Sequence, residues 1–187
     1  MPPMSRGANV ALTREIPGLR RLVVGITWNS GGERALDDNL VLASVLCDGA
    51  SKALSPEHFV YFNQLSSPDE SVTQLESAMA GDNEQVEIDL ADVPPEVARI
   101  VLLAYLNDGT AQRRTLGRLR NLTVVVRESP SNRELVRSED LAPARSTETA
   151  VVLGEVYRNG PDWKFRVVGE GYATGIAGVA SDYGLPL

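Results

Sequence analysis

Short segments typical of β-strands recur along the whole chain, and this repetition constrains the fold more than any other feature of the sequence. Each segment is rich in β-branched, leucine or aromatic residues, and clusters of glycine, proline, asparagine and aspartate separate them. Many short strands with few helical patterns indicate a mainly β protein, a sandwich of two packed sheets. The ten predicted strands are Asn9–Leu12, Arg21–Thr27, Leu40–Cys47, Phe59–Asn63, Gln85–Leu90, Arg99–Leu106, Leu119–Arg127, Arg133–Asp140, Thr149–Arg158 and Trp163–Val168.

The C-terminal part of the chain has the clearest local pattern. Asn159-Gly160 separates the last two predicted strands, and this pair suits a chain reversal that needs positive φ. We interpret Gly169–Gly171 as a bend between the last strand and a helix. Beyond it, apolar residues recur at the spacing of one helical face, namely Ile176, Val179, Ala180 and Tyr183. The sequence therefore predicts a β-hairpin followed by a short C-terminal helix.

Length and composition limit the class of protein. The 187 residues, 43% of them apolar, suit a single domain that spans residues 1–187. No apolar run approaches the roughly 20 residues of a bilayer-spanning helix, so we expect no integral membrane association. The first residues have no hydrophobic signal-peptide core, and Cys47 is the only cysteine. We therefore expect a cytoplasmic protein without disulfides, in which Cys47 is a small core residue.

The net charge of −7 argues against partners that are recognised through basic surfaces. We expect no nucleic-acid partner, and we expect other proteins as partners, while the oligomeric state stays open. The chain has one local basic cluster, which consists of Arg113, Arg114, Arg118 and Arg120. This cluster suits a phosphate-bearing or other anionic partner, or else a charged strand edge that discourages pairing between sheets.

The sequence contains no recognisable catalytic machinery. His58 is the only histidine, and no Gly-x-Ser-x-Gly element accompanies the serines. Gly169-Glu170-Gly171 lacks the later glycine of a dinucleotide-binding loop and the Gly-Lys-Ser/Thr ending of a P-loop. We therefore expect a protein that is not an enzyme, with His58 at the surface or rim.

Several segments together resemble the TerD family of bacterial tellurite-resistance and stress-response domains. The resemblance is carried by Arg6–Thr13, Val24–Trp28, Phe59–Asp69 and Glu84–Leu90, and by the C-terminal pattern ETA…GEVYR…WKFR. It implies two packed five-stranded sheets and a role in resistance to tellurite or related chemical stress. It implies no agreed enzymatic reaction.

The resemblance also implies a calcium site, since typical TerD domains bind calcium through acidic loops at one end of the sandwich. This chain departs from that pattern. Asn29 stands where the family has an aspartate, and Leu40 and Leu42 stand where it has two more. Of the later acidic loop, Asp82 and Glu84 remain. A leucine cannot ligate calcium, which takes about 6–8 oxygen ligands. We therefore predict weak or absent calcium binding.

Three functional hypotheses follow. The first is a non-enzymatic TerD-like stress-response domain that acts as a binding or scaffold module, with no certain cofactor. The second is a calcium-binding protein in which neighbouring acids, Glu33 among them, compensate for the missing ligands. The third is a small-molecule or nucleotide-binding module that uses the arginine cluster. The candidate metal ligands of the second hypothesis are Asn29, Asp37, Asp38, Asn63, Asp82 and Glu84.

Overall fold

Eleven strands lie in the part of the chain that the computed structural model describes, residues 2–111, 114–142 and 147–187. They are β1 (Asn9–Ala11), β2 (Arg21–Asn29), β3 (Leu40–Cys47), β4 (Phe59–Val60), β5 (Val72–Gln74), β6 (Glu84–Asp89), β7 (Arg99–Leu106), β8 (Asn121–Glu128), β9 (Glu134–Arg137), β10 (Ala150–Asn159) and β11 (Asp162–Tyr172). One sheet has six strands in the order β1-β11-β10-β7-β3-β4, and the other has five in the order β5-β6-β2-β8-β9. Neighbouring strands pair antiparallel throughout both sheets.

The helices of the described residues are short. They are α1 (Arg34–Asp37), α2 (Asp108–Ala111) and α3 (Gly175–Asp182), and single 3-10 turns occur at Pro56–His58, Leu90–Asp92 and Leu116–Arg118. Within these same residues, no helix has the length and apolar character needed to traverse a membrane.

The predicted mainly β sandwich with a C-terminal helix is confirmed, and all ten predicted strands are present. The structure adds β5, so the sheets have six and five strands instead of the five and five that the family resemblance implies. The three residues of β5, Val-Thr-Gln, form a segment too short for an alternating pattern to be recognised.

The predicted β-hairpin is confirmed, and its chain reversal has positive φ at Gly160, where φ is 62°. Asn159 is not part of the turn, because it is the last residue of β10 and pairs with Asp162, so the turn consists of Gly160 and Pro161. A second detail of the C-terminal prediction was wrong. The predicted bend at Gly169–Gly171 lies inside β11, which continues to Tyr172. Gly169, with φ of 70°, instead lies at a β-bulge, where the register of β11 against β10 shifts.

The main core fills the space between the two sheets. Val24 and Ile26 face it from β2, and Leu40 and Leu42 face it from β3. Full burial of each such side chain stabilises the fold by about 1.5–3 kcal/mol. Because side chains alternate along a strand, Gly25 and the other intervening residues of β2 lie on the outer face of the five-stranded sheet. A second apolar cluster lies beneath α3 on the outer face of the six-stranded sheet.

Candidate metal site at one end of the sandwich

The loops that carry most of the predicted ligands meet around Trp28, near the end of β2. The backbone N–H of Trp28 donates to Asn83 Oδ1 over 3.0 Å, and its indole Nε1–H donates to Asp37 Oδ1 over 2.9 Å. Trp28 therefore joins the loop before β6 to α1, which precedes β3.

Leu40 and Leu42 lie at the start of β3 and point into the core between the sheets, where only 4% and 0% of their surfaces are exposed. These are the positions at which the family resemblance places two carboxylates. Their apolar side chains pack against the opposite sheet and contribute no oxygen to the loops outside.

The carboxylate of Asp82 is held by nitrogen donors. Arg127 Nη2 donates to Asp82 Oδ1 over 2.8 Å, and Arg127 Nε donates to Oδ2 over 3.0 Å. Gln85 Nε2 donates to the same Oδ2 over 2.8 Å. The Asp82 side chain is fully buried, and the hydrogen bonds and charge of Asp82 raise the pKa of Arg127. This geometry is a fork-on-fork pair, the strongest form of charge-assisted hydrogen bonding between side chains.

A glycine makes this placement possible. A Cβ atom added to Gly25 would lie 2.7 Å from Asp82 Cγ, closer than van der Waals contact allows. Asp82 therefore lies over the outer face of β2, in the space that any other residue at position 25 would occupy. Arg127 reaches it from β8, which pairs with β2 and places Arg127 opposite Val23.

Glu84 lies on the other side of the same sheet. It pairs with the core residue Ile26 and reaches across to the opposite sheet, where its Oε2 accepts the backbone N–H of Leu42 over 2.8 Å. Burial raises the pKa of Glu84, and the Leu42 hydrogen bond offsets only part of this shift. Asp82 and Glu84 are two residues apart in sequence, but the five-stranded sheet separates their carboxylates.

The remaining predicted ligands are distributed over three loops. Asn29 Oδ1 accepts the backbone N–H of Gly31 over 2.8 Å. Asp38 is exposed and lies 4.0 Å from Arg34, and Asn63 is exposed in the turn that follows β4. Among the described residues, no backbone–backbone hydrogen bond joins Asn63 to the acidic loops.

This donor set does not fit calcium. Calcium requires about 6–8 converging oxygen atoms. Here Asp82 is bonded to a guanidinium group, Glu84 faces the core, and Asn29 and Asp37 accept hydrogen bonds from the protein. Across residues 2–111, 114–142 and 147–187, no group of three or more His, Cys, Asp or Glu side chains has the spacing of a metal site.

The arginine cluster packs against the same end of the sandwich. Arg114 and Arg118 both donate to Glu33, and Arg118 Nε lies 3.0 Å from Glu33 Oε2. The hydrogen bonds from Arg118 and Arg114 lower the pKa of Glu33. The backbone N–H of Arg120 donates to the carbonyl oxygen of Asn29. Arg113, the fourth member, lies outside the described residues.

Sequence reasoning missed Arg127 and Gln85, the two residues that hold Asp82. A signal was present, because Arg127 is a charged residue at the end of the valine-rich run of β8. The pairing partner is 45 positions away, and no local pattern connects it to Arg127.

The model of the TerD domain matches residues 2–183. The chain belongs to the TerD family. A similar relative is general stress protein 16U of Bacillus subtilis (strain 168), at 37% identity over 97% of this chain and 96% of the relative. Another is the tellurium resistance protein TerD of Serratia marcescens, at 33% identity over 97% and 96% of the two chains.

Solved structures support the fold of this TerD domain. A Streptomyces coelicolor A3(2) protein, described as a homologue of the telluride resistance protein TerD, superposes with a TM-score of 0.64. It is 22% identical and covers 87% of this chain and 96% of its own. A second crystal structure, of a protein of unknown function, superposes with a TM-score of 0.67 at 21% identity, over 91% of this chain and 99% of its own.

Proposed function

We propose that this TerD domain is a non-enzymatic stress-response module that binds other proteins in the cytoplasm and does so without calcium. The observation that carries the proposal is the Asp82–Arg127 pair, in which a guanidinium group supplies the positive charge beside the acidic loop. A metal ion that replaced it would have to displace three hydrogen bonds to a buried carboxylate. Leaving a buried guanidinium without its partner is strongly unfavourable.

The stress-response part of the proposal rests on the family. Relatives that match nearly the whole chain are named general stress protein 16U and tellurium resistance protein TerD. A third, at 28% identity, is named stress response protein SCP2 of Bacillus subtilis (strain 168). We extend this role to the present chain, in which the same domain occupies residues 2–183.

The absence of an enzymatic role is supported by the state of the reactive side chains. Burial raises the pKa of the Cys47 thiol to about 12, so the thiolate that a nucleophilic mechanism requires is not formed near neutral pH. His58 Nδ1 lies 2.6 Å from Ser55 Oγ in a hydrogen bond within one 3-10 turn. That hydrogen bond fixes the ring next to the backbone of its own turn.

Protein partners are supported by the apolar side chains that the surface exposes. Among the described residues, the large hydrophobic residues with the greatest exposure are Phe62, Leu65, Met79 and Leu187. Phe62 and Leu187 line one pocket with Tyr61 and Tyr105. Exposed apolar groups of this kind are common in protein contact surfaces.

The arginine cluster gives less support to a nucleotide-binding role. Arg114 and Arg118 share one carboxylate, Glu33, which already provides the anionic partner that a phosphate would offer. A phosphate would have to compete with that carboxylate for the same donors.

A pull-down under two metal conditions tests the proposal. The immobilised protein is incubated with a native bacterial lysate in excess calcium or in excess EDTA, and retained proteins are quantified by mass spectrometry. We expect the same partners in both conditions, and we expect their recovery to fall when Phe62 is changed to Ser. Partners that are retained only with calcium would contradict the proposal, and so would a protein that retains none above a bare-resin control.

A further inference from the structure

The chain crosses from one sheet to the other between β4 and β5. His58 lies directly before β4, in the 3-10 turn Pro56–His58, and Asp69 lies shortly before β5. His58 Nε2 is 3.9 Å from Asp69 Oδ2, and the two side chains are only 14% and 15% exposed. These residues face each other across the base of this connection, residues 61–71, which we call the crossover. His58 is thus more enclosed than the surface or rim position that the sequence predicts.

The two oxygens of Asp69 have different surroundings. Oδ1 accepts hydrogen bonds from Ser67 Oγ and the Ser71 backbone N–H, both over 2.8 Å, and from Ser71 Oγ. Oδ2 is buried and, among the described residues, has no hydrogen-bond partner. Burial alone would raise the pKa of Asp69, but the hydrogen bonds from Ser71 and Ser67 lower it below its ordinary value. Asp69 is therefore an ionised carboxylate with one oxygen that lacks a donor.

The histidine ring is already oriented toward that oxygen. Its Nδ1 is bonded to Ser55 Oγ over 2.6 Å, which leaves Nε2 on the side of Asp69. In the neutral ring only one nitrogen carries a proton, whereas both nitrogens are donors in the imidazolium form. The charged groups that face His58 in the described residues are Asp69 and, from its own turn, Glu57. Both are acidic.

We propose that His58 and Asp69 form a pH-dependent clasp across the crossover between the two sheets. When His58 takes up a proton from solvent, Nδ1–H donates to Ser55 Oγ and Nε2–H donates to Asp69 Oδ2. The Nε2–Oδ2 distance then shortens from 3.9 Å to the roughly 2.7–2.9 Å of a charge-assisted hydrogen bond. When His58 is neutral, the charge attraction is lost and the crossover is less restrained.

The clasp restrains a segment that exposes apolar side chains. Tyr61 and Gln64 exchange two backbone hydrogen bonds and form a tight turn within the crossover. Phe62 in this turn is 49% exposed and Leu65 just after it is 38% exposed. Protonation of His58 therefore orders the segment on which these two side chains are presented.

Amide hydrogen exchange tests the clasp. Protection of the backbone amides of residues 59–72, corrected for the intrinsic effect of pH, is measured by NMR at about pH 5.5 and about pH 7.5, on either side of ordinary histidine titration. In the wild type we expect about tenfold greater protection at the lower pH, the ratio that corresponds to about 1.4 kcal/mol. We expect this increase in protection at the lower pH to disappear in His58→Gln and in Asp69→Asn. The amides of the β10–β11 hairpin serve as the internal control.

Equal protection at the two pH values, or the same increase in His58→Gln, would overturn the proposal. A second measurement does not depend on the variants. Because the chain has one histidine, the imidazole ¹⁵N signals of the wild-type protein belong to His58 alone. We expect a slowly exchanging Nε2 proton below neutral pH. An Nε2 proton that exchanges freely with water throughout the titration would also overturn it.

Discussion

Arg127 and Asp82 form a bidentate ion pair over the outer face of the five-stranded sheet, directly above Gly25. Arg127 Nη2 also lies 3.4 Å from the carbonyl oxygen of Ala80, and Gln85 contacts both Met79 and Asp82. Arg127 and Gln85, two side chains of the sheet, thus hold the loop before β6 in place through hydrogen bonds. We infer that the Arg127 guanidinium takes the place beside Asp82 that the family resemblance assigns to calcium.

Removal of Arg127 should destabilise the protein strongly. Arg127→Ala leaves the carboxylate of Asp82 buried without its cation, and breaking one partner of a buried pair costs about 3–5 kcal/mol. The free energy of unfolding, measured by urea denaturation followed by circular dichroism, should fall by that amount.

The matched control for Arg127→Ala is Arg137→Ala. Arg137 also pairs with a carboxylate, Glu134 at 2.8 Å, but both side chains are more than a third exposed. Exposed pairs of this kind are worth about 0.2–1 kcal/mol. Similar losses in the two variants would show that the Asp82–Arg127 pair is not the anchor of the loop.

Any larger residue at position 25 should lower the stability of the fold. In Gly25→Ala the new methyl group collides with the Asp82 carboxylate, so either the ion pair or the strand must move. We predict a loss of about 1–3 kcal/mol, the usual cost of overpacking, in thermal or urea unfolding. Gly49→Ala is the control, since an added Cβ there meets no atom within 4 Å. If both alanine variants have the same free energy of unfolding as the wild type, the Asp82 carboxylate does not occupy the space above Gly25.

Glu84 should make the stability of the fold depend on pH. Because burial raises its pKa in the folded state, the folded protein holds the proton more tightly than the unfolded chain. Stability therefore falls as the pH rises from about 4.5 through the folded-state pKa. Glu84→Gln removes this loss, since the amide oxygen can still accept the Leu42 N–H.

The test of Glu84 compares urea unfolding at about pH 4 and about pH 7, below and above the ordinary titration of a glutamate. We expect Glu84→Gln to match the wild type at the lower pH and to exceed it at the higher. Glu76→Gln, at an exposed position, should show no such change. A Glu84→Gln protein that is less stable than the wild type at the higher pH would mean that the ionised carboxylate stabilises the fold.

Much of the sandwich is predictable from local sequence patterns. The bounds of β3 and β7 match the prediction, because both are largely apolar runs that are followed by a polar residue, Asp48 or Asn107. The burial of Leu40 and Leu42 also follows from their position in such a run. β5 and the bulge at Gly169 were missed because each depends on pairing with a strand elsewhere.

For the same reason, the charged contacts could not be predicted from local sequence patterns. Asp82 meets Arg127 over 45 positions, and Glu84 meets the Leu42 amide over 42. Sequence spacing suggested that Asp82 and Glu84 belong to one acidic loop. The structure separates them, because Asp82 lies in the loop on the outer face and Glu84 is the first residue of β6, facing inward.

Cys47 should resist chemical modification while the protein is folded. The thiol is buried and burial raises its pKa to about 12, so almost none is ionised near neutral pH. Iodoacetamide followed by mass spectrometry should give little label in buffer and complete label in urea. Rapid labelling of the native protein would show that β3 opens readily.

Whether calcium binds this protein is decided by calorimetric titration of calcium into the EDTA-treated, dialysed protein, together with thermal melts in calcium and in EDTA. We predict no heat of binding and the same melting temperature in both buffers, because the Asp82 carboxylate is already neutralised by Arg127. A ligand at about 100 times its dissociation constant would stabilise the fold by about 2.7 kcal/mol. A saturable heat together with a rise in melting temperature that EDTA reverses would show that the acidic loops hold calcium despite the Asp82–Arg127 pair.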